Sequence, residues 1–238
     1  MDLSIIIINK NYQQYLKKSI YSCINQKTKY SFEIIIIDDG SRDKSLQLAN
    51  SIKNKNLKIF SVNNFGVEKA SNLGFKKSKG KFVLRVDSDD YLHKNFIQIM
   101  LNKIIGTKYS FVYPNYNLIS KSGKLIRKVS LPNFNKKEIL ERGDFLATGT
   151  IFRKREIKLL GYYNESHKNC GLENYELIIK LLKKNKKGNH IKKFLFFYRR
   201  HYKNLSLVKQ KKIKYYGINL FKKMKIGKYQ KNNFNPTY

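Results

Sequence analysis

Acidic residues are scarce in this chain: 16 Asp and Glu stand against 50 Lys and Arg, a formal net charge of +34 over 238 residues. Such an excess gives a positive surface field that attracts polyanions, among them nucleic acid, anionic lipid and diphosphates. Lys, Asn and Ile are abundant throughout, which fits a plain compositional bias equally well, so charge alone selects no partner. Cysteine is nearly absent. Cys23 and Cys170 lie far apart with no second thiol near either, which excludes a disulfide framework and a thiolate zinc site and fits a reducing, cytoplasmic compartment. Long apolar runs are missing as well: Ile5 to Ile8 and Ile34 to Ile37 fall far short of the roughly 20 residues of a membrane helix. Asp2 precedes the first run with no basic n-region, so neither a spanning helix nor a secretory leader is expected. There is no internal repeat, and no Gly-rich phosphate loop follows the first apolar run, which argues against a nucleotidyltransferase.

What is present is the composition of a folded protein, 41% hydrophobic and 13% aromatic, in a length that suits one catalytic domain with an appendage. Short β-branched runs alternate with helical patterns. The reading is strand Ser4 to Ile8, helix Gln14 to Asn25, strand Glu33 to Ile37, helix Lys44 to Lys53 and strand Leu57 to Val62. A helix over Lys69 to Lys77, a strand over Lys81 to Val86 and a helix over Lys94 to Ile105 continue it. This alternation implies an α/β fold with a mostly parallel sheet flanked by helices, and ligand sites beyond the carboxyl ends of the strands. Further on, a strand at Ser110 to Tyr113, a hairpin turn at Ser122-Gly123 and a loop or short helix over Pro132 to Asp144 are expected. An extended stretch Phe145 to Phe152, helices Glu156 to Leu160 and Asn174 to Lys184, and a last strand Phe194 to Tyr198 complete the domain. Residues 1–206 are taken as that domain and 207–238 as a basic amphipathic C-terminal extension. In the extension, Tyr215, Tyr216, Leu220, Phe221 and Met224 interleave with lysines. That pattern suits an anionic bilayer with the apolar side down, and a solvated helix equally.

Chemistry concentrates where acids do. Asp87-Ser88-Asp89-Asp90 follows the apolar strand Phe82-Val83-Leu84 and precedes a helix. In extended chain, residues i and i+2 point the same way, so Asp87 and Asp89 can converge on one hard divalent cation, Mg²⁺ or Mn²⁺. Such an ion neutralises charge growing on a diphosphate leaving group. The plainer reading is an acidic turn capping the next helix. A second pair, Asp38-Asp39-Gly40-Ser41, also follows an apolar strand. A carboxylate there can accept from a base N–H or a ribose hydroxyl, although such turns are common in α/β proteins.

In their order and spacing these segments resemble family 2 glycosyltransferases, an inverting group with the GT-A, Rossmann-like fold, over about Leu3 to Ser206. Ser4 to Tyr12 resembles the family's opening strand and nucleotide loop. Ile20 to Gln26 stands in place of its Ser-x-x-x-Gln segment, and Ile34 to Ser41 matches its Asp-Asp-Gly-Ser turn. Ala70-Ser71-Asn72-Leu73-Gly74 is similar to its Ala-Arg-Asn-x-Gly helix, and Asp87 to Asp90 to its metal-binding Asp-x-Asp motif. More loosely, Gly149 to Arg153 resembles its acceptor-side strand, Gly161 to Glu165 its Gly-Gly-Phe-Asp-Glu turn and Glu173 to Leu177 its Glu-Asp-Tyr-Glu-Leu motif. Tyr198-Arg199-Arg200-His201 resembles its closing Tyr-Arg-x-His segment.

The resemblance implies transfer of a sugar from a nucleotide-diphosphate-sugar, a UDP-sugar first and GDP- or dTDP-sugars next, to a hydroxyl of a glycan or lipid-linked acceptor. Ile8, Asn9, Asn11, Asp38, Asp39, Lys69, Asp87 and Ser88 would line the nucleotide side. Asp87, Asp89 and His201 would hold the metal, with a surface histidine beside two arginines as the alternative for His201. Three departures stand out. Ile8 replaces a proline, and Ser71 replaces an arginine whose phosphate contact Lys69 would supply. Asn174 replaces the aspartate base, and an amide cannot take a proton. Glu173 is the expected substitute and Glu176 lies one helical turn beyond; the plain reading of both is a charged helix start. Two rivals follow: a nucleic-acid-binding protein driven by the positive charge, which the acid clusters oppose, and an inactive homologue that binds nucleotide-sugar without transferring it. A cytoplasmic protein at the inner face of an anionic membrane is the expected location.

Overall fold

The computed structural model describes residues 1–142, 146 and 149–229. The positions 143–145, 147 and 148 of the expected loop and extended stretch, and the end of the extension from 230, lie outside the described residues. In chain order the elements are β1 (Leu3–Asn9), α1 (Gln13–Ile24), β2 (Phe32–Asp38), α2 (Ser45–Ser51), β3 (Leu57–Ser61), α3 (Val67–Lys77) and β4 (Phe82–Asp87). There follow β5 (Tyr91–Leu92), α4 (Phe96–Asn102), β6 (Phe111–Ile119), β7 (Leu125–Val129), α5 (Lys136–Arg142) and β8 (Ile151–Arg153). The chain continues through α6 (Lys154–Leu159), α7 (Glu173–Lys183), β9 (Gly188–Arg199), α8 (Leu205–Val208) and α9 (Gln210–Met224).

One sheet carries the strands in the order β3-β2-β1-β4-β8-β6-β9-β5, with β7 paired to β6. The first half is parallel: β1 pairs with β2 and β4, and β2 with β3. β1 and β2 are buried on both faces, which is why they read as unbroken Ile runs rather than alternating, while β3 at the sheet edge is only partly buried. Ile6, Ile8, Ile35, Ile37 and Val83 join one core with α3, α7 and α9, while Ile5, Ile7, Ile34, Ile36 and Leu84 join another with α1 and α4. In the second half β8 runs antiparallel to both β4 and β6, and β5 antiparallel to β9, so the sheet as a whole is mixed. The expected hairpin turn joins β6 to β7, with Gly123 at φ 91° donating its N–H to the Ser120 carbonyl at 2.9 Å. Two elements exceed the sequence reading. β9 starts at Gly188 because it pairs with the whole of β6, and the two-residue β5 exists because β9 offers it an edge.

The C-terminal helix corrects one expectation. The apolar side of α9, with Ile213, Tyr216, Leu220 and Phe221, is buried in the core that includes α7, and the Phe221 ring sits 6.0 Å from that of Tyr175. That side therefore faces the protein rather than a bilayer, and what α9 presents outward is its lysines with Tyr215 and Ile218.

At the opposite end of the strands from Asp38 and Asp87, Glu33 at the start of β2 ties four segments together. It accepts from Ser4 Oγ at 2.7 Å, the Lys79 N–H at 2.6 Å and Lys58 Nζ at 2.7 Å. Burial pushes its carboxyl up, but the bonds from Lys58, Lys79 and Ser4 outweigh that and hold it below the usual range. A lowered pKa means stability present above the unfolded-state value and lost as pH falls through the folded one. Glu33→Gln should therefore cost about 1.5–3 kcal/mol in urea unfolding at pH 7, and the gap to wild type should close as pH drops below about 4. Phe221→Ala should cost about 3–5 kcal/mol in the same assay; a neutral result would mean that α9 is not part of the core.

Candidate active site

Parallel register puts the polar ends of three strands in a row. Asn9 stands opposite Asp38, and Ile8 opposite Asp87, at the carboxyl edge of the sheet where α/β proteins bind ligands. Ile8 itself is 8% exposed and packs into the core, so only its backbone reaches this edge. Asn9 is buried. Its Nδ2 donates to Asp38 Oδ2 at 2.8 Å and to Ser41 Oγ at 3.0 Å, while its Oδ1 has no hydrogen-bond partner. Asp38 also accepts from the N–H and Oγ of Ser41, at 2.9 and 2.7 Å. The Ser41 hydroxyl accepts from the N–H of Asn11 at 2.9 Å, and Asn11 adopts φ 59°, a conformation that asparagine tolerates. Asp39 turns the other way and accepts the N–H groups of Phe65 and Gly66, with Lys10 Nζ at 3.6 Å. The Asp-Asp-Gly-Ser turn thus builds its own walls, Asp38 on the β1 side and Asp39 on the β3–α3 side. Lys69 is not gathered in. It is exposed on α3 with its ammonium 4.3 Å above the Phe65 ring.

Ser71, in the place of an arginine, is buried and donates its hydroxyl to the Val67 carbonyl at 2.6 Å, so it makes no ligand contact of its own. Asn72 does structural work across the site: it accepts the Tyr163 N–H at 3.0 Å and donates to the Tyr163 carbonyl at 2.9 Å and to Glu165 at 2.8 Å. That latches the turn 161–165 onto α3.

The segment after β4 divides its acids among different tasks. Asp89 Oδ2 lies 2.9 Å from His201 Nε2 and accepts from Asn204 Nδ2 at 3.3 Å. His201 Nδ1 accepts the Lys203 N–H at 3.2 Å, so the ring proton sits on Nε2 and is donated to Asp89. The imidazole is wedged beside Tyr12 and stacked on Tyr15, with ring centres 5.5 and 5.2 Å away. Asp90 is buried and accepts the Arg199 N–H at 2.8 Å, and burial, then Asp89 and Asp87, push its carboxyl well above the usual range. Ser88 is buried, its hydroxyl without a partner. Arg199, from the Tyr-Arg-x-His-like segment but given no role there, closes the loop: Nε donates to the Asp89 carbonyl at 2.8 Å and Nη1 to the carbonyls of Ser120 and Lys121 at 3.2 and 2.9 Å. Its guanidinium lies over the Tyr15 ring at 4.7 Å.

Asp87 faces another cation. Arg85, two residues earlier on the same face of β4, places Nε 3.2 Å from Asp87 Oδ1 and Nη1 2.5 Å from Glu173 Oε1. Glu173 Oε2 is buried without a hydrogen-bond partner. Asn174 is buried and its Oδ1 accepts the Tyr163 hydroxyl, so the residue in the place of the family's aspartate is a packed acceptor. Glu176 points away from both, toward Lys180 at 2.8 Å and the Tyr216 hydroxyl of α9, which removes it as a substitute for Glu173. Glu68, also unforeseen, lies in the first turn of α3 and accepts the N–H groups of Asn169 and Cys170, each at 2.7 Å. It thereby sets the loop that launches α7. No simple pattern in the sequence marks Arg85 or Glu68, and the motif that contains Arg199 does not give its partners, because each acts on residues far along the chain.

For a metal, the structure brings Asp89 and His201 into contact and leaves Asp87 two residues away, partly exposed. The donor set of carboxylate oxygens and one imidazole suits a hard or borderline divalent cation. Among the described residues, the trio whose ligand atoms all lie within 4.8 Å of one another is instead Glu68, Cys170 and Glu173, where the Cys170 thiol is hydrogen-bonded to Glu68 and raised by burial.

A strand-end row of carboxylates on a half-parallel sheet, closed by a histidine just after the last strand, fits a GT-A-like α/β fold. The "Glycosyl transferase family 2" model matches residues 4–171, and the chain belongs to that family. An uncharacterised glycosyltransferase of Haemophilus influenzae is 30% identical over 190 residues, 78% of this chain and 74% of that protein. The hyaluronan synthase of Pasteurella multocida is 29% identical over 224 residues, 91% of this chain but only 22% of its own length. Staphylococcus aureus TarS 1-349 in complex with UDP superposes with a TM-score of 0.73 at 22% identity, covering 97% of this chain and 67% of that one; at that identity the likeness shows the fold.

Arg199→Met should loosen the loop 87–90 and cost about 3 kcal/mol or more in denaturant unfolding, because buried carboxylates and carbonyls lose their cation. Stability within 1 kcal/mol of wild type would show that Arg199 is not the clamp.

Proposed function

We propose that the chain transfers a glycosyl group from a nucleoside-diphosphate sugar, a UDP-sugar first, to a hydroxyl of a glycan or lipid-linked acceptor by a single displacement with inversion. The observation that carries this is the convergence at one sheet edge of a nucleotide-type turn (Asn9, Asp38, Asp39), a carboxylate–imidazole pair (Asp89, His201) and a carboxylate with a free oxygen (Glu173). Support comes also from relatives whose names specify polymer synthesis, such as the minor teichoic acid biosynthesis protein GgaA of Bacillus subtilis, 31% identical over 223 residues, and from TarS in complex with UDP-GlcNAc.

Asn9, Asn11 and the turn 38–41 receive the nucleoside, and Asp39 orients the loop that covers it. Asp89 and His201, with Asp87, would hold Mg²⁺ or Mn²⁺, which when bound neutralises charge on the leaving diphosphate; a similar solved structure, GalNAc-T7, carries UDP, GalNAc and Mn²⁺. As the acceptor oxygen bonds to the anomeric carbon, the bond from that carbon to the diphosphate oxygen breaks. The hydroxyl proton passes to Glu173 Oε2, since Asn174 has no basic atom to offer. Tyr163 and Asn174 hold the acceptor-side wall of this step.

The location that suits this chemistry is the cytoplasm, against the inner face of a membrane that supplies a lipid-linked acceptor. Among the described residues no helix is long and apolar enough to cross a membrane. With the apolar side of α9 turned inward, contact with anionic lipid would fall to its outward lysines.

Thermal unfolding with Mn²⁺ plus UDP, GDP or dTDP tests the donor site. One nucleotide should stabilise the chain in a metal-dependent way, by about 2.7 kcal/mol at a hundredfold excess over Kd, and Asp89→Ala should abolish the shift. Absence of any shift would sink the donor site. A shift without turnover would favour the reading, motivated by Asn174, of a nucleotide-sugar-binding homologue that does not transfer. RNA binding with no nucleotide effect would restore the charge-driven alternative.

A further inference from the structure

Arg85 is 9% exposed at its side chain and stands between two carboxylates that the chain separates by 86 residues, Asp87 and Glu173. Nη1 bonds Glu173 Oε1 at 2.5 Å; Nε and Nη2 face Asp87 Oδ1 and Oδ2 at 3.2 and 3.3 Å. A planar guanidinium can hold both at once, whereas an ammonium is a single point charge that meets one of them well. Burial strips water from this cation, and the neighbouring carboxylates of Asp87 and Glu173 keep it charged. Around Glu173 the remaining groups are Glu68 on α3, Cys170 on the approach to α7 and Tyr163 opposite. Without Arg85, Glu173 would face the carboxylates of Glu68 and Asp87 with their repulsion unrelieved by the guanidinium.

We infer that Arg85 is the positioning residue of the transfer step. It occupies Glu173 Oε1, leaves the buried Oε2 without a hydrogen-bond partner and so as the oxygen that would take the acceptor's proton, and ties that carboxylate to the strand end that presents Asp87. Placement of the base and placement of the donor's leaving group are thereby set by one side chain. The inference rests on the reading of Glu173 as the base, and a 1 Å error in such a group is enough to cost about a hundredfold in rate.

The test uses the full chain and the UDP-, GDP- or dTDP-sugar whose nucleotide stabilises wild type, with turnover read as nucleoside diphosphate released to water and affinity read by calorimetric titration of the nucleotide. Arg85→Met should lower kcat by about 30-fold or more while the nucleotide Kd stays within about threefold, and Arg85→Lys should fall between that variant and wild type. Arg85→Met with kcat within twofold of wild type overturns the inference, as does a loss confined to Kd. Should Arg85→Met fail to fold, Arg85→Lys decides: wild-type kcat overturns the inference, a partial loss at unchanged Kd supports it. Glu173→Gln separates the two claims. Wild-type kcat in Glu173→Gln, or no turnover by wild type at all, sinks the base assignment and the role of Arg85 with it; a slow Glu173→Gln beside unaffected Arg85 variants sinks only the latter.

Discussion

Two ladders of parallel hydrogen bonds, β1 with β2 and β1 with β4, are the constraint on which the site depends. They align Asn9 with Asp38 and Ile8 with Asp87. Because side chains alternate faces along a strand, a slip of one residue in either ladder would turn every Ile of that strand from one core to the other and swing its terminal polar group away from the row. The run Ile5 to Ile8 is apolar on both faces, so composition alone would tolerate such a slip. What forbids it lies at the ends: Glu33 pins Ser4, Lys58 and the Lys79 N–H below, and Asn9, Asp38 and Ser41 close a hydrogen-bonded ring above.

With so few acids in the chain, their distribution carries information. Asp38, Asp39, Asp87, Asp89, Asp90, Glu68 and Glu173 all gather at the carboxyl edge or against it, each with a partner that fixes its direction. Burial drives Asp90 and Glu68 toward the protonated form, while Arg85 and Arg199 bring guanidinium charges to the loop 87–90. An anionic edge in a strongly cationic protein favours a counter-cation locally, while the net charge attracts polyanions from a distance.

The order of the motifs and the parallel half of the sheet were legible from the sequence, since unbroken β-branched runs bounded by helical patterns leave few arrangements open. Legible too were the residues on that edge, Asn9, Asn11, Asp38, Asp39 and Asp87 to Asp89, because each sits at a strand end. The exposure of Lys69 and the turn of Glu176 toward Lys180 and Tyr216 were not legible: helical periodicity tells which residues share a face, but not which body that face meets. The amphipathic pattern of 210–224 was likewise real, yet its apolar side packs on α7.

The sequence by itself determined what is local: strands, helices, turn chemistry, and the identity of groups able to bind a cation or take a proton, including the absence of a basic atom at Asn174. Tertiary structure decided the pairings, because contacts such as Arg85 with Glu173, Arg199 with the loop 87–90, Glu68 with the approach to α7 and His201 with Asp89 join segments separated by 88 to 112 positions. Periodicity and propensity act over one or two turns of chain. The direction in which a buried charge points is set by desolvation and by whichever counter-charge the fold delivers to it.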